Sequence, residues 1–173
     1  MSQPRRLDEV FQEHPVYFIT ACTHDRRHLL NNDPAHLSFV SFCQQSSSYG
    51  VKVGRYILMP DHLHAFVCIT TGGIGLSQWL KSLKNSMSKH WRSHYLDSPH
   101  WQKGFFDHLI RNETSHGEKW KYMADNPIRA GLCASPADWP FTGEIHPSSS
   151  KEAVIDRLYI LLKKNVGAVD DRP

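Results

Sequence analysis

The chain is poor in cysteine. Cys22, Cys43, Cys68 and Cys133 are scattered over 173 residues with no C-x-x-C pair, and three of them stand in apolar surroundings. Such cysteines read as small buried hydrophobes rather than as a disulfide framework. No apolar run reaches the length of a transmembrane helix. The polar N-terminus lacks the apolar segment of a signal peptide. The expectation is a soluble, cytoplasmic protein with no membrane partner. Repeats and low-complexity segments are also missing, and the length suits one domain with a real core. A large excess of one sign of charge is missing as well: the net value is +3, too mild to establish a polyanionic partner. Its distribution says more. Between residues 81 and 111 six basic residues (Lys81, Lys84, Lys89, Arg92, Lys103, Arg111) face two acids, Asp97 and Asp107. A block of this kind attracts phosphates, although a solvated helix face has the same composition.

The densest chemical signal is Met59-Pro60-Asp61-His62-Leu63-His64, followed by the apolar run Ala65-Phe66-Val67-Cys68-Ile69. On a strand, alternate side chains share a face. His62 and His64 therefore point the same way, near enough to hold one metal ion, while Leu63, Ala65, Val67 and Ile69 turn to a core. Two edge histidines with no ligand explain the pattern as well as a metal pair does.

Around this strand the elements fall into a simple order. Val16–Thr23 is rich in β-formers. Asp33-Pro34 reads as an N-cap and first helical position, opening a helix to about Ser48. Val51–Leu58 is a strand, and Pro60 fixes the turn that brings the histidine strand back antiparallel. Leu76, Leu80, Leu83, Met87, Trp91 and Tyr95 recur at helical spacing, and Phe105–Ile110 is a fourth strand. Strand, helix, strand, strand, helix, strand is the ferredoxin-like βαββαβ order. The expected fold is α+β, with both helices on one face of a four-stranded antiparallel sheet and the histidines on the other. Residues 1–145 would form the catalytic domain and 146–173 a tail, whose Lys151–Lys164 helix docks as an appendage.

One more helix is expected past the fourth strand. Ser115-x-x-Glu118 fits a capping box, and Pro127 must end what it opens. Trp120, Met123 and Ala124 form the core stripe. Tyr122 and Asn126 share a face well away from it. A rim tyrosine with its hydroxyl in water would look the same.

Taken together, Met-Pro-Asp-His62-Leu63-His64, Trp101-Gln102-Lys103-Gly104-Phe105-Phe106-Asp107-His108-Leu109-Ile110-Arg111 and Tyr122-x-x-x-Asn126-Pro127-x-x-Ala130-Gly131-Leu132 resemble the REP-associated tyrosine transposases. These are relatives of the single-tyrosine HUH transposases. The resemblance spans about Tyr17 to Trp139. Two departures stand out: Asp61 where that family often has asparagine, and Thr142-Gly143 in place of a frequent Ser-Ser. The resemblance implies that His62, His64 and Asn126 hold one divalent ion, Mg²⁺ or Mn²⁺, and that Tyr122 is the nucleophile, leaving a 5′-phosphotyrosine. It implies single-stranded DNA hairpins, the repetitive extragenic palindromes, as partner. Lys81, Lys84, Lys89, Arg92, Lys103 and Arg111 would then meet phosphates, and Trp79 or Trp101 bases; Trp91, on the core stripe of its helix, is expected to be structural instead. Related insertion-sequence transposases are dimers with the tyrosine supplied in trans. The short link between the fourth strand and the tyrosine helix favours assembly in cis, and the apolar face of the Lys151–Lys164 helix, which could cover surface a partner would otherwise bury, favours a monomer. Two other functions compete: hairpin binding without cleavage, and metal-dependent phosphodiester hydrolysis. The two-histidine hydrolases need a His-x-Thr or His-x-Ser pair on two separate strands, which this sequence does not offer.

Overall fold

A computed structural model describes residues 14–93, 97–111 and 113–147. The expected order is observed: β1 (Val16–Cys22), α1 (Asp33–Gln45), β2 (Val51–Leu58), β3 (His62–Ile69), α2 (Leu76–Arg92), β4 (Phe106–Ile110) and α3 (Glu113–Ala124). A four-residue α4 (Asn126–Arg129) and a short β5 (Thr142–Glu144) follow. The sheet is antiparallel, in the order β4-β1-β3-β2-β5. Its first four strands have the ferredoxin-like arrangement.

The fifth strand is an addition to the expected four. Gly143 makes it possible: a Cβ there would sit 2.8 Å from the Tyr56 hydroxyl, so a larger residue would push β5 off the edge of β2. Two helix starts also differ from expectation. Asn32, not Asp33, caps α1, its side chain accepting from the Ala35 amide at 3.0 Å. Helix α3 is already formed at Glu113, so Ser115 and Glu118 lie within it rather than opening it. The end of the α2 stripe at Tyr95, the whole Lys151–Lys164 appendage and most of the 146–173 tail lie outside the described residues.

The sheet separates two cores. On one face α1 and α2 bury Phe39, Cys43, Trp79, Leu80, Leu83, Met87 and Trp91 against Ile19, Ala21, Leu63, Ala65 and Val67. The other face carries Phe18, Ile57, Phe66 and Ile110, covered by Trp120, Met123 and Ala124 of α3 and by Trp139. The Trp139 indole donates to the Leu58 carbonyl at 3.0 Å, tying the residues after α4 to β2. A 12-residue helix is marginal alone. Burying Met123 contributes roughly 1.5–3 kcal/mol, and Trp120 adds to it beneath the Arg55 guanidinium, 4.7 Å from the ring. That packing fixes α3 to its own sheet.

Candidate active site

The alternation of β3 does what its sequence promises. Leu63, Ala65 and Val67 enter the helix-covered core, while His62 and His64 face the α3 side with ring centroids 4.9 Å apart. Both line a cavity of about 300 Å³. Its floor is the sheet: Phe18, Thr20 and Cys22 of β1 and Phe106 of β4 sit beside the histidines. Register explains the grouping, because Thr20 pairs with His64 on one side and with Phe106 on the other, and Cys22 pairs with His62. Helix α3 supplies the wall, through Lys119 and Tyr122.

Tyr122 lies off the core stripe, as its spacing predicts. It is half exposed, and its ring centroid is 6.0 Å from that of His64. The Arg129 guanidinium covers its other side, 4.5 Å from the ring centroid. It also donates to the Tyr122 carbonyl at 2.8 Å and to Asn126 Oδ1. One cation beyond Pro127 therefore ties the last turn of α3, the tyrosine ring and the Asn126 amide together. Asn126 itself is not among the residues lining the cavity. Its Oδ1 is taken by Arg129, and its Nδ2 is buried without a partner.

Each histidine is held through Nδ1. His62 Nδ1–H donates to Asp61 Oδ1 at 2.6 Å, and His64 Nδ1 shares a 2.8 Å hydrogen bond with Thr20 Oγ1. A carboxylate only accepts, so the bond to Asp61 fixes the proton of His62 on Nδ1. Burial, reinforced by the neighbouring His62, pulls the His64 pKa down to about 3, so that ring is neutral at pH 7. Its Nε2 is buried and has no hydrogen-bond partner. Burial raises the pKa of Asp61. The hydrogen bond from His62 and the charges of His62 and Arg26 outweigh it and hold the carboxyl below its ordinary range. Two imidazoles anchored at Nδ1, one with a buried and unpartnered Nε2, are the donor arrangement a divalent ion takes. The pair fits such an ion. Among the described residues no three His, Cys, Asp or Glu side chains group around a common point to hold one.

Three groups at this site escaped the sequence reading. Asp61 stands beside the histidines in sequence as a departure from asparagine, and the structure puts its carboxylate on His62. Arg26 is 3.3 Å from Asp61 and joins the cavity from the loop after β1. Lys119 is one helical turn before Tyr122, its ammonium 5.5 Å from the Phe18 ring centroid. Spacing along α3 could have found Lys119, and adjacency to His62 could have found Asp61; nothing local announces Arg26.

The expected DNA-contacting residues divide. Lys81, Lys89, Arg92, Lys103 and Arg111 are exposed. Helix α2 lies across the sheet from the histidine cavity, so its lysines and Arg92 are remote from the tyrosine. Lys84 is different. It is partly buried, which lowers its pKa, and it donates to the carbonyls of Gln102 (3.1 Å) and Gly104 (2.5 Å). Its place is a clasp on the loop before β4. Two tryptophans are corrected too: Trp79 and Trp101 are buried and offer no ring to a base, and Trp91 is buried as its place on the core stripe predicts.

Comparison with known proteins agrees with this architecture. Residues 12–122, well over half the chain, match the family described as Transposase IS200 like. A Haemophilus influenzae protein provisionally named a REP-associated tyrosine transposase is 22% identical over 142 residues, 76% of this chain and 81% of that one. The Escherichia coli K12 REP-associated tyrosine transposase is 23% identical over 91 residues, about half of each protein (53%). A solved structure of a REP-associated tyrosine transposase bound to a REP hairpin superposes with a TM-score of 0.67, at 21% identity over 82% of each chain. At that identity the likeness is one of fold. The family match takes in both histidines and ends on Tyr122: this chain belongs to the IS200-like transposase family, and the relatives it resembles are REP-associated tyrosine transposases.

Proposed function

We propose that this protein cuts and rejoins single-stranded DNA beside a hairpin through a covalent bond to Tyr122. The observation that carries the reading is the half-exposed Tyr122 ring 6.0 Å from His64, across a cavity the two histidines share. The Tyr122 oxygen attacks a backbone phosphorus. The bond from phosphorus to the 3′ oxygen breaks, and that oxygen takes up a proton as a free 3′-hydroxyl. The product is a 5′-phosphotyrosine, which keeps the phosphodiester energy so that a later 3′-hydroxyl can attack and release the tyrosine. His62 and His64 would hold a divalent ion through Nε2, with Asn126 as third ligand once its Oδ1 leaves Arg129. When bound, that ion polarises the scissile phosphate and offsets the charge developing on it. Phosphate chemistry favours Mg²⁺ or Mn²⁺ over softer ions. The relative solved with a REP hairpin supports a DNA hairpin as the partner. Exposed Lys81, Lys89 and Arg92 on α2, with Lys103 and Arg111 at the two ends of β4, are the proposed contacts to its stem.

The test is a hairpin oligonucleotide with single-stranded tails, labelled at its 3′ end and incubated with protein and Mn²⁺. On a denaturing gel the label should migrate with the protein. Cleaved product without any adduct would instead mean hydrolysis. Tight binding with no cleavage would mean a hairpin-binding protein.

Asp61 makes a separate prediction. A carboxylate behind a ligating imidazole orients it and raises its basicity. Asp61→Ala is expected to weaken Mn²⁺ binding about 10- to 100-fold, measured by titration calorimetry without DNA. Asp61→Asn should fall in between, since its amide oxygen still accepts from His62. Unchanged affinity in the alanine variant would remove Asp61 from the site.

A further inference from the structure

Phe106 is not needed for the chemistry proposed above, yet it stands beside it. It begins β4, the strand at the sheet's edge, and its side chain is 58% exposed. It is also one of the cavity's lining residues. Register puts it in one row with Thr20 and His64, two strands from the metal-ligand candidate, roughly 10 Å at about 4.8 Å per strand. It is the most exposed ring of that lining, ahead of Tyr122. The other aromatics that might meet a base, Trp79, Trp91 and Trp101, are buried.

The same cavity carries positive charge. Lys119 lines it from α3, and Arg26 from the loop after β1. Arg26 is held there at a cost. Asp25 and Arg26 have φ of +51° and +54°, a left-handed conformation that costs a non-glycine residue about 1 kcal/mol or more. The turn is locked by Thr23, whose hydroxyl is within hydrogen-bonding distance of the Arg27 and Asp61 carbonyls (2.7 and 2.9 Å), and by the Arg26–Asp61 pair. Strain kept beside a cavity points to use of the side chain it aims. An exposed flat apolar ring that shares its cavity with two cations matches a ligand with a flat apolar face and neighbouring anions.

We propose that Phe106 is the stacking platform for one unpaired nucleobase next to the scissile phosphate, with Arg26 and Lys119 on the phosphates that flank it. The seat rests on the reading of single-stranded DNA as substrate and adds where that strand lies: along the β4 edge, across β1, to His64 and Tyr122. Every base has a π-face, so stacking alone tolerates any of them.

The test uses binding, not cleavage. Fluorescence anisotropy is measured on the hairpin oligonucleotide with a single abasic site moved along its unpaired tail. With wild-type protein, one position should lose about 5- to 100-fold in affinity. Phe106→Leu keeps an apolar side chain but has no π-face. It should bind the intact strand weaker by a similar factor and lose the abasic penalty at that position alone. Phe106→Trp should restore both, which separates stacking from a damaged fold. Arg26→Gln and Lys119→Gln should each lower the salt slope by about one. Wild-type affinity in Phe106→Leu, or an unchanged abasic penalty, would overturn the seat. If adducts form on Tyr122 while Phe106→Leu binds normally, only the seat is wrong. If no adduct forms but the abasic position still depends on Phe106, the seat stands and the cleavage reading falls.

Discussion

Tyr122→Phe is expected to fold, to bind hairpin DNA as the parent does, and to form no covalent complex at all. The ring is half exposed and makes its contacts through its faces and edge, to Arg129 at 4.5 Å and His64 at 6.0 Å. A phenyl ring keeps both. Removing one oxygen from a surface side chain should change stability by no more than about 0.5 kcal/mol, seen as a nearly unchanged melting temperature. The adduct, by contrast, needs that oxygen as its bridging atom. A residual adduct in Tyr122→Phe would place the nucleophile on another tyrosine, and two of those described are out of reach. Tyr17 lies on the other side of β1, packed against the helix-covered core. Tyr56 is buried in that core within hydrogen-bonding distance of His36 Nε2 at 2.7 Å, and burial drives its pKa to about 12. Neither reaches the histidine cavity.

What the sequence revealed and what it hid follow from the range of the signals. Strand alternation put His62 and His64 on one face without any knowledge of the partners, because a period of two is a local property. Helical spacing separated Tyr122 from Trp120, Met123 and Ala124 for the same reason. Depth is not local. Trp101 and Lys84 lie 17 residues apart, and only their meeting, an indole N–H on the Lys84 carbonyl at 3.2 Å, shows that both belong to the loop before β4. Phe106 sits in an apolar motif and would be taken for core. Its exposure follows from β4 being the edge strand with α3 lying over the sheet's middle. Arg129 comes after Pro127, where the tyrosine helix was expected to stop. The chain instead resumes helical geometry at Asn126 and turns that arginine back over Tyr122. Strand β5 depended on one missing Cβ, at Gly143, which spacing cannot show.

Two individually inactive variants, His64→Ala and Tyr122→Phe, should stay inactive when mixed. Each removes one half of the site. His64→Ala takes away the buried Nε2 proposed as a ligand, and should lower cleavage about 100-fold or more while leaving stem contacts in place. If the tyrosine served a partner's histidines, random pairing of the two variants into two-fold dimers would rebuild one working site in each mixed dimer. About a quarter of wild-type sites would then return. The geometry argues for the opposite outcome. Strand β4 ends at Ile110 and α3 begins at Glu113, so the connection is too short to carry the helix to a second molecule. Helix α3 is also seated on its own sheet by Trp120 and Met123, buried against Phe18 and Phe66. Delivering Tyr122 elsewhere would expose that stripe, at several kcal/mol. Within one chain the tyrosine and His64 rings are already 6.0 Å apart. We therefore propose that each chain assembles its own site in cis, with cleavage in the mixture no greater than the sum of the two variants alone at any ratio. Recovery toward a quarter of the wild-type rate would show that two chains share the site.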